Sequence, residues 1–278
     1  MAGVAIHCDG VPTRVLLALS RLSEILPALG ACALPQSRSI RSSSCSFGHV
    51  SVIAVTGLAV EARIAAGPGV RTLVGAGNAQ QLASALEREI ERGANAIMSF
   101  GIAGGLADDL LAGTWLVART IVTPTATWQA DAAWTRAISL RLPGALPADI
   151  AGVDAPVADP QTKQSLQRTT GAAAVDTESH IAAGIAAIHR IPFAAFRVIA
   201  DSAGRALPPA VRVAVRADGK INHAAVLRSL GRSPGQFGSL ARTAIDAGIA
   251  FRALSRGRRC LGPSLGFANV DKLLLDVP

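Results

Sequence analysis

The sequence predicts an α/β fold, a single domain of three layers (α/β/α) around a mixed, mainly parallel central sheet. Short, nearly unbroken apolar runs such as Val52–Val55 and Phe193–Ala200 read as strands buried on both faces. Stretches of helical periodicity separate them, which is the pattern of crossover-connected strands. With 278 residues, half of them apolar, the chain can bury one large core.

The elements follow in order. Val52 to Val55 is a strand ending in Thr56-Gly57, and Arg71 to Val74 is a second, ending in Gly75-Ala76-Gly77. Ala79 to Arg92 is a helix with Leu82, Ala85, Leu86 and Ile90 on one stripe and Gly93 as its stop. Ala96 to Phe100 is a buried strand that runs into the Gly-rich turn Gly101-Ile102-Ala103-Gly104-Gly105-Leu106, and Thr114 to Val122 continues the sheet. Trp128 to Pro160, with Pro143, Pro147, Pro156 and Pro160, reads as irregular surface loops. Then come a helix from Gln161 to Thr170 closed by Gly171, a strand from Ala172 to Val175, a helix from Glu178 to His189 and a strand from Phe193 to Ala200. Helices fill most of Pro208 to Ser255.

Three segments follow from this. Residues 1–50, with a broken apolar run at Val15–Leu19 and a Ser/Arg-rich stretch, read as a poorly ordered extension, or alternatively as a membrane-touching amphipathic helix over Thr13–Leu29. Residues 51–260 form the main domain and 261–278 a tail.

Charge and cysteine usage exclude several classes. The net charge of +8 is concentrated between Arg205 and Arg259, where ten Arg and one Lys face two Asp. Such a region reads as solvated helix faces, with an anionic membrane surface as the functional alternative. Nucleic acid is disfavoured, because only Phe237 and Phe251 could stack bases there. Cys8, Cys32, Cys45 and Cys260 are far apart in sequence and pair with no His motif, so neither a disulfide frame nor a metal site is expected. Free thiols suit a reducing, cytoplasmic compartment, and no run of 18 apolar residues is present to span a bilayer.

In parallel sheets ligands bind outside the carboxyl ends of the strands. Three polar or Gly-rich groups fall there: Gly101 to Gly105, Asp176-Thr177-Glu178, and Asp201-Ser202. Glycines in the first would let a sugar or anion approach backbone N–H groups. Glu178 starts a helix, whose N-terminus favours its ionised form; a capping carboxylate is the bland alternative, for which Asp176 and Thr177 are also placed. Asp201 carries a similar alternative as an N-cap. The Gly pattern is neither GxGxxG nor GxxxxGK, so dinucleotide and nucleoside triphosphate sites are not expected.

From Val52 to about Ala203 the chain resembles the purine and uridine phosphorylase superfamily, especially its methylthioadenosine/adenosylhomocysteine nucleosidase branch. The matching elements are the strand with Gly57, the Gly101–Leu106 segment, Val175-Asp176-Thr177-Glu178 and Arg197-Val198-Ile199-Ala200-Asp201. Within it, Thr56 to Arg63, Asp176-Thr177-Glu178-Ser179-His180 and Leu207-Pro208-Pro209 are similar to the hopanoid-associated phosphorylases, linked to removing adenine from adenosylhopane. The resemblance implies a nucleoside phosphorylase-like fold and cleavage of an adenine nucleoside, with no cofactor, a homodimer, and a lipid-linked substrate reached at an anionic membrane face.

Roles are implied residue by residue. Asp201 matches the aspartate that protonates the purine N7, and Glu178 the glutamate that holds the ribose hydroxyls. Thr177 stands where a methionine usually lies against the ribose, Ile102 and Gly104 line the sugar side, and Val157 falls near the main-chain groups that read the purine edge. Glu61 is the candidate base that activates water, although the family's glutamate aligns with Ala62. The phosphorylases' arginines correspond to positions near Glu61 and Ser99, so both are missing. Water is therefore favoured as the nucleophile, with phosphate as the alternative co-substrate unless Arg63 or another arginine reaches it. A small-substrate nucleosidase and a non-catalytic nucleoside-binding accessory protein are the competing readings.

Overall fold

The alternation within the buried strands decides the layering. In the computed structural model, which describes residues 52–216 and 218–267, strand β1 (Val52–Thr56) sends Val52 and Ala54 into one apolar cluster and Ile53 and Val55 into another. Strand β3 (Ala96–Gly105) does the same with Ala96 and Met98 against Ile97. Helix α2 (Ala79–Glu91) and α5 (Ser179–His189) cover the second face through Leu82, Leu86, Ala182, Ala183 and Ala186. Helix α1 (Ala59–Ala65), α3 (Ala132–Arg141) and α8 (Phe237–Leu261) cover the first through Ala65, Trp134, Ile138, Ala250, Ala253 and Leu254. A strand with helices on both sides has no solvent face, which is why its sequence shows no polar alternation.

The remaining elements are β2 (Val70–Val74), β4 (Trp115–Val122), β5 (Thr127–Gln129), β6 (Leu146–Gly152), α4 (Pro160–Thr170), β7 (Ala174–Asp176), β8 (Phe193–Asp201), α6 (Pro209–Arg212) and α7 (His223–Arg232). The sheet runs β2-β1-β3-β7-β6-β4-β5, and β8 pairs with both β3 and β4. Strands β3, β7, β6, β4 and β8 therefore close a ring. The β1–β2, β1–β3, β3–β8, β4–β6 and β6–β7 pairings are parallel, whereas β3–β7, β4–β5 and β4–β8 are antiparallel. This is the expected mixed, mainly parallel sheet in one α/β domain.

Three expectations are corrected. Trp128 to Pro160 is not irregular throughout: it holds β5, α3 and β6. Pro147 misleads because it stands in the opening residues of β6, ahead of Ile150, where β7 joins and both edges need hydrogen bonds. The Gly101–Gly105 stretch is not a turn but the second half of β3, paired with β8 from Gly101 to Gly104 and with β7 at Gly104 and Gly105. Helix α1 was not anticipated, since seven residues beginning at Ala59 carry too little periodicity to read.

The chain divides into two units, Met1–Ser46 and Phe47–Pro278, and every described residue belongs to the second. The expected extension over residues 1–50 lies outside the described residues. Toward the C-terminus the packed body continues past residue 260, with Leu261 and Leu265 buried and the Trp134 indole donating to the Leu265 carbonyl at 3.1 Å. Among the described residues no helix is long and apolar enough to cross a membrane.

Helix α8 lies close to β8 because its inner face is Ala250, Ala253 and Gly257. A Cβ at Gly257 would stand 2.5 Å from Phe196 Cζ, inside the pair that Phe196 and Phe100 form with ring centroids 5.7 Å apart. Gly257→Ala is expected to cost about 1–3 kcal/mol by overpacking. Thermal unfolding should show a midpoint lowered by roughly 3–10 °C.

Candidate active site

Arg197 is the centre around which the polar groups collect. It sits in β8 between Phe196 and Val198 and is fully buried. Its Nε lies 2.9 Å from Asp176 Oδ2 and its Nη2 3.5 Å from Glu178 Oε2. Nη2 also donates to Ser99 Oγ at 2.5 Å and Nη1 to the Ile102 carbonyl at 3.2 Å. Burial works against its charge, yet Asp176, Glu178 and Glu61 together hold its pKa above the ordinary arginine value.

Asp176 resolves which residue caps α5. Its Oδ1 accepts from the Glu178 and Ser179 backbone N–H groups at 2.9 and 2.7 Å, and its Oδ2 accepts from the Ser179 hydroxyl at 2.5 Å. Glu178, at the N-cap position but making no side-chain cap bond, is left to point elsewhere. Its Oε1 takes the Thr177 hydroxyl at 2.5 Å. A Cβ on Gly57 would stand 3.0 Å from Glu178 Oε1, and one on Gly75 would stand 3.1 Å from its Cγ. Glu178 thus lies against the ends of β1 and β2. The expectation that the helix end favours its ionised form is corrected: burial raises its pKa, with Arg197 opposing and Asp176 adding to the rise.

Glu61 reaches the same place from α1. Its Oε2 accepts from the Gly57 and Leu58 N–H groups at 2.8 Å each, and its Oε1 from the Ile102 N–H at 2.7 Å. It is 1 % exposed. Burial pushes its pKa from 4.5 up to about 7; Arg197 and the Ile102 amide pull against this and Glu178 adds to it. Glycine at 101 makes the approach possible, since a Cβ there would lie 2.5 Å from Glu61 Oε1 and 2.9 Å from Arg197 Nη1.

Asp201 ends β8 and faces a separate partner. Lys163, on α4 and fully buried, donates to Asp201 Oδ2 and to the Ser202 and Arg205 carbonyls at 2.9 and 3.4 Å. Burial raises the Asp201 pKa, and Lys163 opposes the rise. Gly104 borders the carboxylate, with its Cβ position 3.4 Å from Oδ2 and, on the other side, 3.4 Å from Val175 Cγ1.

Glu61, Glu178, Thr177 and Ile102 therefore gather where β1, β3 and β7 end, while Gly104, two residues further along β3, borders Asp201 and Val175. Both main-chain groups of Ile102 are committed, its N–H to Glu61 and its carbonyl to Arg197. Val157 stands apart, packed with Leu106 and Val175, while the neighbouring Ala158 carbonyl accepts from Leu207 N–H at 2.8 Å. Arg63 is exposed. The sequence reading missed Arg197 and Lys163 as site members. For Arg197 there was a signal: an arginine in a strand covered on both faces must find buried counter-charges. For Lys163 there was none.

A doubly covered sheet with buried carboxylates at its strand ends defines an α/β protein with a charge-rich candidate site. By its family model, which matches residues 33–245 and is described as phosphorylase superfamily, the chain belongs to that superfamily. Among solved structures, the 5′-methylthioadenosine/S-adenosylhomocysteine nucleosidase of Neisseria meningitidis in complex with methylthio-immucillin-A aligns at TM-score 0.51 and 14% identity, covering 74% of this chain and 98% of that one. The S-adenosylhomocysteine nucleosidase of Streptococcus pyogenes aligns at 0.49 and 14% identity, over 74% and 98%. Futalosine hydrolase of Helicobacter pylori aligns at 0.48 and 16% identity, over 71% and 98%. No curated protein matches the chain.

Two outcomes follow. Gly101→Ala forces Glu61 and Arg197 apart, and urea unfolding should show a loss of about 1–3 kcal/mol. Glu61 binds its proton more tightly folded than unfolded, so its contribution to stability is complete below pH 4.5 and is lost as pH rises to about 7. That span is worth up to about 3 kcal/mol. Between pH 5 and 8, Glu61→Gln should flatten the pH dependence of unfolding free energy relative to the wild type.

Proposed function

We propose that this chain cleaves the N-glycosidic bond of an adenine nucleoside, with water as the nucleophile. The observation that carries the reading is the charge at the site. Three buried carboxylates, Glu61, Asp176 and Glu178, surround one guanidinium, and a fourth, Asp201, borders Gly104 further along β3 and is paired with Lys163. An enclosure richer in carboxylate than in cation favours a ligand that becomes positive, as a sugar does when its C1′–N9 bond breaks. In this reading Glu178 with Thr177 holds the ribose hydroxyls, Asp201 delivers a proton to N7, and Glu61 takes the proton of the water that adds to C1′.

Water is favoured over phosphate by the same geometry. The Gly57, Leu58 and Ile102 N–H groups already serve Glu61, and the Ala59 N–H serves the Gly219 carbonyl at 3.0 Å. An incoming phosphate would find these donors taken and carboxylates beside it. Arg197 reaches the site but is spent on Asp176 and Glu178.

The substrate we propose is adenosylhopane, giving adenine and ribosylhopane; the observation in its favour is the segment beside the site. The bridge between Val215 and Ile221 closes a turn whose Gly219 packs on Val74 and Ala59, so it caps the end of β1. Val213, Val215, Ile221 and Leu227 are exposed there, in company with Arg216, Lys220 and Arg228. Asp218 pairs with Arg216 and Lys220, which leaves the patch a net positive charge beside its apolar groups; that combination suits peripheral contact with an anionic bilayer, from which a lipid-linked nucleoside could be drawn. The fold shared with the Neisseria nucleosidase supports methylthioadenosine as the second substrate to compare.

Asp201→Asn should lower adenine release from adenosylhopane by about 10²–10⁴-fold, measured by chromatography of the free base; near-normal turnover would reject the assignment. Ribosyl product formed at an unchanged rate without phosphate would establish hydrolysis, whereas dependence on phosphate would reject it. Faster turnover of methylthioadenosine would remove the lipid role. Below about pH 7 the rate should fall as Glu61 becomes protonated, because a base must be ionised to accept the proton of water.

A further inference from the structure

Among the described residues Lys163 is, with Arg197, one of two fully buried cations. It projects from α4 near the N-terminal end of that helix, where Asp159 accepts from Thr162 N–H at 2.8 Å and Pro160 opens the first turn. A buried ammonium needs all three of its protons engaged and a compensating charge. Asp201 Oδ2 supplies the charge, and the Ser202 and Arg205 carbonyls take the remaining bonds. The same three acceptors belong to the end of β8 and the turn after it. Lys163 therefore fixes both one oxygen of Asp201 and the backbone that carries it.

Resting on the glycosidase reading, we propose that Lys163 is a positioning residue that holds Asp201 through Oδ2 and keeps it supplied with the proton it delivers to the leaving base. An ion pair of this kind contains one transferable proton, held on the ammonium. As the C1′–N9 electron pair moves onto the base, the proton on Lys163 Nζ passes to Asp201 and from Asp201 to N7, leaving a neutral amine beside an ionised carboxylate. Water adds to C1′ and gives its proton to Glu61. Once the products leave, Glu61 releases its proton to solvent and the neutral amine recovers one from solvent through Asp201, so that every group returns to its starting charge. Gly104 borders the same carboxylate without a side chain of its own, its Cβ position 3.4 Å from Oδ2 and 3.6 Å from Oδ1.

The pairing predicts a dependence on the leaving group. A base that must be protonated needs Lys163; a leaving group stable as an anion does not. The test compares wild type, Lys163→Met, Lys163→Arg and Asp201→Asn on two substrates: the adenine nucleoside that the wild type turns over faster, and 4-nitrophenyl β-D-riboside. Lys163→Met is expected to lower kcat for adenine release by about 10²-fold or more with KM little changed, while nitrophenol release stays within about fivefold. That second activity also reports that the variant is folded. Lys163→Arg should restore part of the adenine rate, since it returns a cation to Oδ2. Equal losses on both substrates, or adenine release near the wild-type rate in Lys163→Met, would overturn the inference and leave the glycosidase reading standing. A wild type that cleaves neither substrate would overturn the glycosidase reading, and this inference with it.

Discussion

A guanidinium without solvent contact must be neutralised by the protein around it, because an isolated charge in such a place costs several kcal/mol or more. Arg197 imposes that requirement on the middle of the sheet, and the surrounding chain can be understood as its answer. Asp176 approaches Nε from the end of β7, Glu178 from the start of α5, Glu61 from α1, and Ser99 from the neighbouring strand. These groups are separated by more than a hundred residues in sequence. Each can reach the guanidinium only when β1, β3, β7 and β8 have assembled, so the charge and the fold depend on each other. Removing the arginine alone would leave three carboxylates buried with no cation among them, which is the worse half of the pair to keep.

Glycine is the other half of that arrangement. Polar side chains from different strands can converge only if the intervening strand has no side chain of its own. Gly101 occupies that position between Glu61 and Arg197, and Gly104 holds it between Asp201 and Val175. In sequence these residues look like a turn, because glycines in a row usually mark one. Here they stay in a strand, where the lack of Cβ serves the contents of the site more than the path of the backbone. The φ/ψ freedom of glycine and its lack of volume give the same sequence signature and opposite structural meanings, which is why β3 read five residues short.

Much of the architecture was legible because it depends on local pattern. Val52–Val55 and, apart from Arg197, Phe193–Ala200 are apolar since helices cover both faces, and Gly171 stops α4 in the left-handed conformation that glycine favours. Glu178 and Asp201 could be singled out as polar residues where apolar strands end. Glu61 was harder, because its position depends on a helix of seven residues with no periodic signal, and its match to the family's glutamate is offset by one residue. In space Glu61 is tied to the strand ends: Oε1 accepts from Ile102 and Oε2 from the amides of Gly57 and Leu58. Lys163 was out of reach altogether. It lies in a polar helix, Pro160–Thr170, and becomes buried only when the turn after β8 folds over it.

Glu61 joins structure and chemistry in one carboxylate. By accepting the N–H of Leu58 it completes the first turn of its own helix, as a glutamate at the third helical position often does. By accepting the N–H of Ile102 it ties that turn to β3, and by lying near Arg197 it shares in the central charge. Three amide donors and a cation would normally make a carboxylate strongly acidic, yet burial outweighs them and leaves it near neutrality. The group is consequently held in position by contacts that favour its ionised form while its surroundings allow it to accept a proton. The base of the proposed hydrolysis must be rigid and also protonatable at neutral pH, and Glu61 has both properties from opposing electrostatic effects on one side chain.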